Sequence, residues 1–169
     1  MSKLFFSSLK YTLQKSLILL EEIPNSIYIN DSLGPFYSSI GVHIRHILDF
    51  YTSIFNGIDS NLIDLSNRER NSVIESDIIY AKAKIKTVLA QLDTFSTYEL
   101  EGSYNLTDDL GMGKVTIPTN LYAILVQANS HTIHHYAIIS QLLYTYDIVI
   151  ADKTFGYNPT SPIKEIINR

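Results

Sequence analysis

All five histidines of this chain fall into two short clusters, His43 and His46 in one segment and His131, His134 and His135 in another. Neutral imidazole is the commonest protein metal ligand, and three such ligands around Zn²⁺, Fe²⁺ or Ni²⁺ leave positions open for water or substrate. His131 and His135 stand four residues apart, so on a helix they project from one face about 6 Å apart along the axis, and both can chelate one ion. That face also holds Ile124, Ala128, Ile138 and Leu142, which points the pair toward a core, with His134 nearer the edge. A lone histidine on an apolar face is usually a hydrogen-bonded core residue. A His-x-x-x-His pair facing a core is different, because two imidazoles buried together are costly unless something satisfies their nitrogens.

In the other cluster the periodicity puts His43 near the middle of a face made by Phe36, Ile47, Phe50 and Ile54, and His46 toward its border. Helical spacing alone favours His43, but a border residue can still meet a neighbouring helix, so the choice stays open at this level.

The positioning elements follow from the apolar spacing. Phe6, Leu9, Leu13, Leu17 and Leu20 recur at steps of three and four, predicting a helix over 3–23 that ends at Pro24-Asn25. A loop rich in Pro and Gly is expected over 23–37. A second helix is expected over 36–55, with Asn56-Gly57 as its stop, followed by a long polar surface connection over 58–75. Ser76-Asp77 can cap a third helix whose stripe is Ile78, Ala81, Ile85, Val88, Leu89 and Leu92, with Lys82, Lys84 and Lys86 on the wet side and an end near Phe95. Between Thr97 and Pro118 the pattern shifts, and Val115-Thr116-Ile117 after a glycine-containing turn suggests a small β-hairpin. Thr119 or Asn120 caps a fourth helix that runs to about Tyr146. The tail 147–169 is expected to be irregular, with one short helical turn near its end. The expectation is therefore one domain over 1–169 of all-α class, a four-helix bundle with a long crossover and a small hairpin between its third and fourth helices.

Bulk properties narrow the function. A chain of 169 residues that is 46% hydrophobic and 18% charged has the material for one sizeable core. A net charge of −4 without any run of Lys or Arg argues against a nucleic-acid surface. No stretch of 18 or more apolar residues predicts a membrane span, and Lys10, Gln14 and Lys15 interrupt the N-terminal segment before it could act as a secretory signal. The absence of cysteine leaves histidine and carboxylate as the strong metal ligands, and the expected compartment is the cytoplasm. Arg68 and Arg70, in the charged stretch Asn67-Arg68-Glu69-Arg70-Asn71, are the one place where phosphate recognition comes into view, although a charged loop is usually just solvated.

Two segments, in this order, carry a family resemblance. Ser39-Ile40-Gly41-Val42-His43-Ile44-Arg45-His46-Ile47-Leu48-Asp49 is similar to the second-helix ligand motif of the DinB/YfiT-like metalloproteins, and His131-Thr132-Ile133-His134-His135 is similar to their last-helix His-x-x-x-His. The resemblance implies a helical bundle whose first ligand is His46, because Asp49 three residues on matches the Asp that follows the ligand in that motif, with His131 and His135 as the other two. It further implies metal-dependent chemistry of the S-transferase or hydrolase kind on a small molecule, with a low-molecular-weight thiol as co-substrate in some members. His43, His134, Asp49, Tyr51 and Tyr136 are then the residues expected to orient the ligands or relay protons around them. The rival expectation is a non-catalytic metal-binding or interaction protein, a homodimer through its helix faces, its ion closed by His43 or His134 as fourth ligand.

Overall fold

A computed structural model describes residues 2–98 and 100–162 of the chain. The helical turn expected near the end of the tail lies outside these residues. Four long helices enclose the core: α1 (Ser2–Glu22), α3 (Ile40–Gly57), α5 (Ile78–Phe95) and α6 (Leu121–Thr145), with single-turn helices α2 (Asn25–Tyr28) and α4 (Ser72–Ser76) in the connections. They close a ring in which α1 packs on α5 and α6, and α3 packs on α5 and α6. The interior is filled by side chains such as Leu13, Tyr28, Ile44, Tyr51, Ile54, Ile85 and Ile139.

Three of the four long helices start on a local side-chain cap. The Ser39 hydroxyl accepts the amide of Val42 at 3.1 Å, Asp77 accepts those of Ile79 and Tyr80, and Asn120 accepts that of Ala123 at 2.9 Å. Each cap satisfies an amide that the first turn leaves without a partner, typically worth about 1 kcal/mol. The cap at Ser39 also corrects the expected start of this helix. Phe36 lies before it, in a turn, and is 74% exposed, so it does not belong to the face that carries His43.

The all-α class is contradicted. Besides the helices, the chain forms a three-stranded mixed sheet in the order β1-β2-β3, from β1 (Leu62–Asp64), β2 (Tyr104–Asp109) and β3 (Lys114–Thr119). The expected hairpin is present as β2 and β3, antiparallel with Leu106 opposite Ile117. What turns it into a sheet is β1, which pairs parallel with β2, Ile63 opposite Leu106, from inside the stretch expected to be a polar surface loop. A strand of three residues with only Ile63 buried carries no periodicity for a sequence pattern to detect, and its partner lies some forty positions away. The close seat of β1 against α3 depends on Gly57, where a Cβ would stand 2.4 Å from the Leu62 carbonyl oxygen. Among the described residues, no helix is long and apolar enough to cross a membrane.

Candidate metal centre

The site forms on the seam between α3 and α6. His131 and His135, one turn apart on α6, bring their Nε2 atoms to 3.1 Å from each other. From α3, His46 places its ring centroid 5.0 Å from that of His131 and 4.7 Å from that of His135. One ring nitrogen from each of these three lies within 4.8 Å of the others, so the group could hold a metal ion. Bonds of about 2.0–2.1 Å to tetrahedral zinc put ligand nitrogens about 3.3 Å apart, close to the separation His131 and His135 already have.

Burial keeps these imidazoles in the form a metal needs. It pushes His46 down to about 4, helped by the positive charge of Arg68, and it does the same to His131, again with Arg68 contributing and Asp108 opposing. His135 is pushed to about 2 by burial and by the surrounding histidines. All three are neutral near pH 7, with a lone pair on each ring.

The remaining histidines divide. His43, which helical spacing favours as the α3 ligand, sits behind His135: their Nδ1 atoms are 3.0 Å apart, and the other nitrogen of His43 is 3.0 Å from the Ser38 hydroxyl. If His135 gives its Nε2 lone pair to an ion, its Nδ1 carries the proton and donates to His43 Nδ1. His43 then holds its own proton on Nε2 and donates to Ser38. The arrangement fixes the tautomer and ring plane of His135, which is how an outer partner serves a ligand. His134 is exposed on α6, its ring 5.3 Å from that of His135.

The structure does not bring Asp49, Tyr51 or Tyr136 to the site. Asp49 is buried and paired with Arg45 one turn away on α3, and Arg45 in turn binds Glu75 of α4, so this carboxylate holds an arginine rather than a histidine. Tyr51 is fully buried, and burial raises its phenol to about 12 with Thr132 opposing. Tyr136 faces the opposite seam, where its hydroxyl donates to the Thr12 carbonyl at 3.0 Å and meets the Ser16 hydroxyl at 2.5 Å. Adjacent sequence positions on a helix are about 100° apart, so neighbouring His135 in sequence puts Tyr136 on another face.

Two residues at the site carry no ligand signature in the sequence. The Phe50 ring lies 4.8 Å from that of His131 and covers it. Arg68, in the loop after β1, reaches both ring nitrogens of His46 with Nη1, at 2.9 and 3.0 Å, while its Nε donates to the Leu65 carbonyl. A charged loop gives no hint of this direction; only the pairing of β1 with β2 brings residue 68 over α3. Two clefts, of about 230 and 350 Å³, open elsewhere, one beside Lys15 and Tyr157 and the other between the loop at 33–38 and the end of α6. The second is lined by Ser38, the partner of His43.

In comparisons with protein-family models, with curated proteins and with solved structures, nothing matched the chain significantly.

Proposed function

We propose that the chain is a metal-dependent enzyme in which His46, His131 and His135 hold one divalent ion, zinc, nickel or iron, with a position left open for water or a small thiol. The observation that carries this reading is the convergence of three neutral imidazoles, from two helices, on one point, while His43, the nearest candidate for a fourth ligand, is engaged by His135 and Ser38. Three protein ligands are the pattern of catalytic rather than structural zinc, which is usually closed by four. An ion held in this way lowers the pKa of a water or thiol in its open position and so supplies a nucleophile near neutral pH.

The chain's own residues supply the rest. Burial keeps the three imidazoles unprotonated, His43 and Ser38 hold His135 in orientation, and Phe50 shields His131 on one side. S-transfer or hydrolysis on a small molecule is the reaction class this site fits. A relation to the DinB/YfiT-like metalloproteins is part of the same proposal, supported by the spacing and order of the ligand motifs. The protein loaded with Co²⁺ tests it: a small thiol such as 2-mercaptoethanol should change the visible spectrum at stoichiometric cobalt. A spectrum indifferent to thiols would mark a closed, structural ion and overturn the enzymatic reading.

A further inference from the structure

The guanidinium of Arg68 lies against the ring of His46, beside the point where an ion could sit. Its Nη1 lies 2.9 and 3.0 Å from the two ring nitrogens of His46, and an atom that near to both sits over the face of the ring, not along an in-plane lone pair. The lone pair an ion would take is thus left open, and the guanidinium places a positive charge beside it. Arg68 cannot simply swing away, because its Nε is tied to the Leu65 carbonyl. The buried carboxylate of Asp49, whose charge Arg68 feels, is already engaged by Arg45. A fixed cation beside a dication is unfavourable. That repulsion is offset if an anion enters beside the ion and accepts from the guanidinium, since Arg presents parallel donors that fit a carboxylate.

Resting on the proposed metal reading, we infer that Arg68 makes the site selective for an anionic ligand, a small carboxylate-bearing molecule whose carboxylate is shared between the ion and the guanidinium. Metal and carboxylate then bind cooperatively, and by linkage each raises the affinity of the other by the same factor. Arg68 is a binding and specificity residue in this scheme, with no role in bond making.

Cobalt binding followed by visible absorption, with and without millimolar acetate and with chloride at matched ionic strength as control, tests the inference on wild type, Arg68→Ala and Arg68→Lys. The wild type should bind cobalt about tenfold more tightly in acetate. Arg68→Ala should bind cobalt more tightly than wild type when acetate is absent and should respond to acetate no more than to chloride. Arg68→Lys, which restores charge without the fork, should recover part of the acetate effect. An equal acetate response in wild type and Arg68→Ala would overturn the inference and leave the metal reading intact. Failure of the wild type to bind cobalt would overturn both.

Discussion

Two polar clusters are buried on α6 only one residue apart, and they are built on opposite plans. On the α1–α6 seam Tyr136 is closed: its hydroxyl donates to the Thr12 carbonyl, the Ser16 hydroxyl donates to it, and the Phe155 ring stacks on its ring at 4.4 Å. Every polar atom there has a partner from the chain. On the α3–α6 seam the histidines find mainly each other, and the Arg68 guanidinium lies against the ring of His46. A buried polar group satisfied by the fold is there for the fold. Neutral imidazoles gathered around a common point could hold a metal ion.

The sharpest break between the seams is a pair of adjacent substitutions. His135→Ala should lower zinc affinity by more than about 100-fold, since it removes a ligand and the anchor of His43, whereas Tyr136→Phe should leave zinc affinity unchanged in a calorimetric titration. Next in size is a change to the frame. A Cβ on Gly41 would lie 2.1 Å from the Glu75 backbone oxygen, so Gly41→Ala must push α3 away from α4, at a cost of about 1–3 kcal/mol in urea unfolding and with weaker zinc binding because His43 and His46 move with α3. Tyr136→Phe should itself cost about 1–2 kcal/mol, because the Thr12 carbonyl and Ser16 hydroxyl lose their buried partner.

The smallest effect separates the seams by pH. His46, His131 and His135 are depressed in the folded chain, so below pH 6.5 the unfolded chain takes up protons that the folded one refuses. Stability of the metal-free protein should therefore be full above pH 6.5 and decline as pH falls toward about 4, where His46 and His131 begin to protonate in the fold as well. Replacing His131 by Gln should flatten that decline. Tyr136 stays uncharged throughout, as burial raises its phenol, so Tyr136→Phe should shift the whole curve without changing its slope.

Much of this was legible in the residues. The helical stretches, the capping residues Asp77 and Asn120, the hairpin strand Val115-Thr116-Ile117 and the placing of His131 and His135 on one inward face all follow from local periodicity and turn chemistry. Between His43 and His46 local pattern was a poor guide, because it ranks residues by distance from the centre of an apolar face, and His46 meets α6 from the border of that face. β1 and Arg68 were illegible for one shared reason: their positions are set by a long-range parallel pairing that leaves no local trace, and a polar stretch with one buried isoleucine reads as a loop. Without β1 the fold class is mistaken, and the arginine beside the site looks like a solvated charge.

A zinc titration of the wild type beside His46→Ala and His43→Ala goes most directly to the claim that three imidazoles from two helices share one ion. One zinc per chain is expected in the wild type, no stoichiometric binding in His46→Ala, and one zinc per chain at about 10–100-fold lower affinity in His43→Ala, the usual effect of losing an outer partner. A wild type that binds no zinc, nickel or iron, or a His46→Ala variant that holds its ion while His43→Ala loses it, would contradict the account.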